Sequence, residues 1–281
     1  MGVWLGPMSN GSGPINKKKD INYTGNLEFY INNDTGDWEI RLTTSGTLKF
    51  KKNPGNIDVF LVGYGDSGSS GGGSGNQAVG GSGGYGGQCI NRTFTNIGKN
   101  IEYLVDIGSK SENKDTSIFN LTAYGGGKII NGNPAGHRSS TGATAYMTDL
   151  SKTTAPAPDP NTTYGAASGV QAFNTDTSYF GGSHYFGSGG GGGGAGYYTG
   201  SYGATGNYSQ GGDTYAGAGG AAQVSSERVA NKGKDATPNT GSGGGGGAAI
   251  TTGHNTFTVN AGGAGSDGVI IIRNNRGTTF S

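Results

Sequence analysis

The glycines of one short stretch have the spacing of a nucleotide-binding turn. Residues 57–68 read IDVFLVGYGDSG, an apolar run followed by Gly63, Gly65 and Gly68 in the order G-x-G-x-x-G. In a dinucleotide-binding fold, such glycines lead from a strand into a helix whose N-terminus holds the pyrophosphate. Here the next residues are SSGGGS, which cannot begin a helix, and no strand–helix–strand unit follows. The pattern therefore reflects the abundance of glycine and does not predict nucleotide binding.

No other group of side chains has the spacing of a catalytic or metal site. The run GGGK that ends at Lys128 is followed by Ile129, where a phosphate-binding loop needs Ser or Thr. His137, His184 and His254 are far apart in the sequence, and solitary histidines are more often solvent-facing than metal ligands. No nucleophile with its base and no carboxylate pair stands out. We therefore expect a protein that is not an enzyme and that has no metal and no cofactor.

The composition is that of an ordered chain without an ordinary apolar core. Glycine supplies 62 of 281 residues, hydrophobic residues 31% and charged residues 13%. So few apolar side chains usually indicate disorder, but β-prone runs at both ends and 10% aromatic residues argue for order. A net charge of +1 gives no basis for binding nucleic acid, and no apolar run predicts membrane insertion. The single Cys89 excludes an internal disulfide.

Alternating apolar and polar residues predict β-strands on both sides of the glycine-rich sequence. The first four form an antiparallel meander: Leu27–Ile31, Trp38–Leu42, 47–50 and Ile57–Val62. Further strands are predicted at 89–94, 101–107, 119–124, 256–259 and 269–273. The prediction is an all-β fold, an antiparallel, jelly-roll-like β-sandwich framework built from about 26–62, 89–124 and 255–274. Residues 1–20 would be an attachment or linker segment, followed by a single domain over 21–281.

Two glycine-rich insertions, at about 63–88 and 125–254, interrupt the predicted strands. Glycine can form extended left-handed helices of three residues per turn, whose backbone groups point outward. Packing such helices side by side lets each N–H and C=O find a partner, at a distance that only glycine allows. The insertions therefore predict a bundle of polyglycine II helices with long loops. Side chains would be excluded from its interior, so five residues of the first insertion are expected at its surface or in loops: Tyr64, Asp66, Asn76, Gln77 and Tyr85.

Five segments, in order, carry a resemblance to a known family: FLVGYGDSGSSGGGSG, FTNIGKNIEYLVDIG, FGSGGGGGGAG, PNTGSGGGGGAA and GGAGSDGVIIIRNNRG. The chain resembles, from Asn22 onward, the glycine-rich domains of bacteriophage and prophage tail fibre proteins, of the distal adhesin type. The ending 268–273, GVIIIR after a glycine tract, is the most specific part. The resemblance implies a β-sandwich that carries a polyglycine II bundle, with loops at the bundle tip that recognise the bacterial surface.

The same resemblance implies where the protein works and with what partners. It places the chain in the tail fibre of a virion, outside the cell, after synthesis in the host cytoplasm. The receptor would be a bacterial surface glycan or protein, and the N-terminal region would attach to other tail-fibre or baseplate proteins. Because phage fibres are commonly trimeric, we expect a homotrimer.

Aromatic residues in the second insertion are interleaved with Ser, Gly, Asn and Thr, the composition of antibody binding loops. The candidate receptor-binding residues are Tyr179, Phe180, His184, Tyr185, Tyr197, Tyr198, Tyr202, Tyr208 and Tyr215. The same rings could instead cap the ends of the bundle and supply its apolar packing. Two other functions stay open: a structural module of a fibre or extracellular filament without a receptor site, and a ligand-binding domain of a receptor ectodomain. The lack of multiple cysteines weighs against the last.

Overall fold

The computed structural model of the chain is all-β. It describes residues 15, 18–136, 139–146, 154–155, 168–174, 178–181, 184–198, 203–206, 208–223, 228–277 and 279–281. The strands are β1 (Ile21–Tyr23), β2 (Leu27–Ile31), β3 (Trp38–Leu42), β4 (Gly46–Phe50), β5 (Ile57–Val62), β6 (Gly72–Ser74), β7 (Gln77–Val79), β8 (Cys89–Phe94), β9 (Glu102–Val105), β10 (Thr116–Ile118), β11 (Leu121–Ala123), β12 (Ile129–Ile130), β13 (Asn133–Pro134), β14 (Thr144–Tyr146), β15 (Thr154–Ala155), β16 (Ala195–Tyr198), β17 (Gly203–Gly206), β18 (Ala222–Gln223), β19 (Val229–Ala230), β20 (Ala249–Gly253), β21 (Thr256–Val259) and β22 (Val269–Asn274). Two 3-10 turns lie at Lys18–Asp20 and Ala172–Asn174, and none of the described helices is long enough to cross a membrane.

A β-sandwich forms the base of the molecule. Its five-stranded sheet has the order β2-β3-β22-β5-β8, and its three-stranded sheet has the order β1-β4-β9. Every neighbouring pair is antiparallel. Alternate residues of these strands fill the core between the sheets, among them Trp38, Ile40, Leu42, Leu48, Phe50, Ile57, Val59, Leu61, Val105, Ile270 and Ile272. The predicted all-β sandwich is confirmed.

The predicted meander is wrong beyond its first hairpin. Strands β2 and β3 pair, but β4 crosses to the opposite sheet, and β22 lies between β3 and β5. The reason is that β5 and β22 are apolar on both faces, so that each needs cover on two sides. The faces of β5 and β22 that point away from the sandwich core pack in a second apolar cluster with Ala172, Phe173 and Phe186. Strand β21, assigned to the framework from its pattern, pairs with β20 instead.

The glycine-rich insertions, and residues 260–267 that the sequence assigned to the β framework, form extended segments that bond to one another at every third residue. Seven of them are named here PG1 (63–71), PG2 (80–88), PG3 (187–194), PG4 (215–221), PG5 (231–237), PG6 (241–248) and PG7 (260–267). The framework prediction is therefore wrong for 260–267. Successive N–H groups of PG6 donate to three neighbours in turn: Gly243 and Gly246 to PG3, Gly244 and Gly247 to PG1, Gly245 and Ala248 to PG5. The repeat of three, with no positive φ over 243–247, is that of a left-handed polyglycine II helix.

Helix PG6 is enclosed on all sides by the other six. Its carbonyl groups accept hydrogen bonds from PG2, PG4 and PG7, the three neighbours to which it does not donate. The six also bond to each other in a closed ring, in the order PG1, PG2, PG3, PG4, PG5, PG7 and back to PG1. Segments 139–143 and 209–212 add to the outside of this ring. Hexagonal packing therefore satisfies the backbone groups of the central helix without an apolar core.

Glycine occurs on the faces of each helix that a neighbour covers. A Cβ at Gly245 would lie less than 3.0 Å from the carbonyl oxygen of Ala218, and every glycine from 243 to 247 meets a backbone atom in the same way. PG2 has neighbours over two of its three faces and reads GGSGGYGGQ, with Ser82, Tyr85 and Gln88 on the half-buried third face. In PG2, the triplet position of the non-glycine residues thus marks the face that no other helix covers.

Four of the five side chains expected outside the bundle interior are partly exposed, namely Asp66, Asn76, Gln77 and Tyr85. The expectation is wrong for Tyr64, which is 2% exposed. Its ring lies against Gly125, and its hydroxyl is 3.3 Å from Asn113 Oδ1. The loops around β10 and β11 cover the start of PG1 and bury this ring, beside which Lys110 Nζ lies 5.9 Å from the ring centroid. The local sequence does not reveal this cover.

Connections between the helices gather at the end of the bundle away from the sandwich. Strand β5 runs directly into PG1, and PG7 runs directly into β22, so the sandwich lies at one end. At the other end, hairpins β6–β7, β18–β19 and β20–β21 join PG1 to PG2, PG4 to PG5 and PG6 to PG7. Strands β16 and β17 follow PG3. Strands β6, β7 and β14 to β21 are together called the tip. They form one sheet of order β14-β7-β6 and a second sheet of seven strands, β15 to β21.

Replacing Gly245 with Ala should lower the free energy of unfolding by about 3 kcal/mol, because backbone atoms on a closed ring have no room to move away. Thermal and urea unfolding of the full chain, followed by circular dichroism, measures this. The control is Gly72→Ala, where the new Cβ has nothing within 4 Å. We expect that variant to stay within about 1 kcal/mol of the parent. Equal stability of the two variants would contradict the packing.

Candidate functional site

The structure divides the aromatic candidates between the two ends of the bundle. Tyr179, Phe180, His184 and Tyr185 precede PG3, whereas Tyr197 and Tyr198 follow it. At 3.1 Å per residue, the eight residues of PG3 separate the two groups by roughly 25 Å. Tyr215 begins PG4 at the sandwich end, and Tyr208 lies beside the tip half of PG3. Tyr202 lies outside the described residues. The candidates therefore do not form one site.

A buried carboxylate fixes the first group at the sandwich. Glu39 of β3 is fully buried and accepts hydrogen bonds from Ser178 Oγ at 2.7 Å, from the Phe180 N–H at 2.8 Å and from the Tyr179 N–H at 3.3 Å. The Tyr179 ring, 60% exposed, stacks on Tyr30 with centroids 3.8 Å apart. Three donors on one carboxylate hold this segment in a single position.

The apolar seal between sandwich and bundle uses the same segment. Phe180 packs on a cluster formed by Phe60, Val62, Ala172, Phe173, Phe186, Val269 and Ile271. Within it, Arg273 Nε lies 3.3 Å from Asp58 Oδ2, and the guanidinium is 4.1 Å from the centroid of Phe173. Burial lowers the pKa of Arg273, while the Asp58 carboxylate opposes that effect. These residues pack the junction between the sandwich and the bundle. For Phe180 this is the packing role that the sequence offered as the alternative to receptor binding.

His184 and Tyr215 lie together at the edge of this junction. Their ring centroids are 5.1 Å apart, and His184 also lies 6.4 Å from Phe186. Both are half-buried, and the Tyr215 N–H donates to Asp213 Oδ1 at 2.8 Å. Tyr185, in contrast, is 39% exposed.

At the tip, the two neighbouring tyrosines of β16 differ in role. Tyr197 is 2% exposed and packs with Ala78, Ala143, Ala195 and Ala249 in the small core of the tip. Tyr198 is half-buried and lies under the guanidinium of Arg228, at 4.3 Å from the ring centroid. Because strand neighbours face opposite sides of a sheet, one ring supports the tip and the other reaches its surface.

Arg228 is the residue of this surface that the sequence reading did not single out. It is exposed and has a φ of 50°, in the left-handed region that side chains other than glycine rarely adopt. Beside it, the turn of β20–β21 is fixed to that of β6–β7: the Gly75 N–H donates to Asn255 Oδ1 and the Asn255 N–H to the Gly75 carbonyl, both at 2.7 Å. His254 in that turn is exposed. No local sequence signal singles Arg228 out, because it lies within the charged stretch ERVANKGKD at 227–235.

A groove of about 550 Å³ on the sandwich is a further concave surface. Phe94, Tyr103, Phe119 and Leu121 line it beside Leu104, which is 70% exposed. Glu102, Asn120 and Thr122 add polar groups to this lining. Among the residues that the structure describes, no group of three or more His, Cys, Asp or Glu side chains could hold a metal ion.

Replacing Glu39 with Ala should destabilise the fold by about 3 kcal/mol, because it leaves the three donors of 178–180 without their carboxylate and removes one of the two carboxylates beside Arg276. Limited proteolysis should also cut near residue 180 sooner. The matched control is Glu28→Ala on the exposed face of β2, expected to stay within about 0.5 kcal/mol. Equal losses from both substitutions would show that the Glu39 contacts do not anchor this segment.

Comparison with known proteins agrees with this architecture. A family model described as a glycine-rich domain matches residues 43–275. The match begins after β3 and includes all seven polyglycine helices, the tip and β22. No curated protein matches the chain. The family model covers most of the 281 residues, and the chain belongs to the glycine-rich domain family.

Proposed function

We propose that the chain is the receptor-binding domain of a phage or prophage tail fibre and that the tip is its recognition surface. The observation that carries the proposal is that the helix-to-helix hairpins project together from one end of the bundle. The covered faces of the helices hold glycine with a few serines and alanines, so they display no side chain to a ligand. Loops on a rigid scaffold are the usual place of binding residues.

The bundle is well suited to present such a surface. Each of its helices is held on several sides by backbone hydrogen bonds, so the hairpins start from fixed positions. Tyr198, Arg228 and His254 lie at the tip. Exposed side chains there with hydroxyl or amide groups include Gln223 and Thr256. Such a surface suits a bacterial glycan, since aromatic faces stack on sugars and polar groups bind their hydroxyls. Weak contacts at each site would then multiply by avidity across several fibres.

The sandwich is the end that we assign to attachment. Ile15, before β1, is 1% exposed and belongs to the sandwich core, so the chain enters the domain there. Ile101 and Leu104 on the same sandwich are 51% and 70% exposed. Exposed apolar side chains are typical of surfaces that contact another protein. We assign this end to other tail-fibre or baseplate proteins, in a homotrimer on the virion.

Whole-cell binding of the fluorescently labelled chain to a panel of Gram-positive and Gram-negative bacteria tests the proposal. At the tip, Tyr198→Ala and His254→Ala together should weaken binding about tenfold or more without lowering the melting temperature. The matched control is Tyr179→Ala with Tyr185→Ala, which removes two exposed rings from the other end of the bundle.

The control pair should bind cells as the parent chain does. Loss of binding in the control but not in the tip variant would move the receptor site to the sandwich end. A parent chain that binds no bacterium of the panel would favour the purely structural module.

A further inference from the structure

We infer that the tip binds an anionic group, a phosphate or carboxylate on a surface glycan, and that Arg228 is the residue that recognises it. This inference rests on the proposed function and names the chemistry of its ligand. Three features of Arg228 carry it: its charge, the arrangement of its guanidinium and its backbone conformation.

The first feature is electrostatic. The described residues of the tip are 72–79, 144–146, 154–155, 195–198, 203–206, 222–223, 228–230 and 249–259. Among these described residues, Arg228 is the one Asp, Glu, Lys or Arg. Its side chain is exposed, so its positive charge can attract an anion at this end of the bundle.

The second feature is the geometry of the guanidinium. Its carbon lies 4.3 Å from the centroid of the Tyr198 ring, so the ring supports one face of the planar group. The Arg228 side chain is exposed and donates a hydrogen bond to no residue that the structure describes. Its N–H groups remain available in the fork arrangement that matches carboxylate and phosphate oxygens. The stack also reduces the freedom that the side chain would lose on binding.

The third feature is the strained backbone at the same residue. At a φ of 50°, Arg228 occupies a conformation that glycine adopts at little cost and that a residue with a Cβ resists. In a chain with 62 glycines, an arginine at such a position indicates that the side chain is used. Exposed Gln223 on β18 and Thr256 and Thr258 on β21 supply neutral hydrogen-bonding groups on nearby strands.

The test measures binding of the full chain to three polymers: poly(glycerol phosphate), polyglucuronate and neutral dextran. The parent chain should bind one or both of the charged polymers, more weakly as salt is raised, and should not bind dextran. Arg228→Gln should weaken this binding about tenfold or more. Arg228→Lys should retain part of it, because lysine keeps the charge but not the planar fork.

Two controls separate recognition from folding. Arg228→Gly relieves the strained φ, so it should melt no lower than the parent chain and still lose the charged polymer. Lys99→Gln removes an exposed cation from the sandwich and should leave binding unchanged. The inference is overturned if the parent chain binds neither charged polymer, or if Arg228→Gln or Arg228→Gly binds as the parent does.

Failure of this inference and failure of the proposed function give different results. One result is that Tyr198→Ala with His254→Ala weakens cell binding while the parent chain binds neither charged polymer. In that case the tip is the receptor site and its ligand is neutral. If cell binding does not depend on the tip, the proposed function itself fails.

Discussion

The fold depends on the hydrogen bond between the backbones of two adjacent glycine helices. This bond forms at every third residue, and it requires two backbones to approach more closely than any Cβ allows. Around PG6 it is repeated on all sides, three neighbours accepting and three donating. A chain with 31% hydrophobic residues can thereby be ordered, because backbone pairing replaces most of the apolar burial.

The same constraint decides where chemistry can lie. Side chains that the helices exclude collect on open faces, at the junction with the sandwich and at the tip. At the junction they are used for packing: Glu39 holds the segment of Tyr179 and Phe180, and Phe180 and Phe186 seal the outer face of the five-stranded sheet. At the tip, Tyr197 is likewise structural. Tyr198 and Arg228 lie together on the surface of the tip.

Much of the local structure could be predicted. The strands at 27–31, 38–42, 57–62 and 89–94 follow from alternation or apolar runs, and the glycine insertions follow from composition. Partners could not be predicted in the same way. The insertion of β22 between β3 and β5 joins residues more than 200 positions apart, and nothing local to either strand specifies it. The aromatic residues between 179 and 215 are close in sequence but divided in space, because PG3 carries the chain from one end to the other.

By itself, the sequence determined that this protein is β-rich, that its order does not come from a large apolar core or disulfides, and which segments are too rich in glycine to form ordinary helices or strands. These are properties of single segments, set by side-chain volume and backbone freedom. The tertiary structure alone decided that PG6 is central, that Tyr64 is buried and that Arg228 lies over Tyr198. Each of these depends on which segments become neighbours, and in a bundle held by identical backbone bonds the side chains give little local sign of that choice.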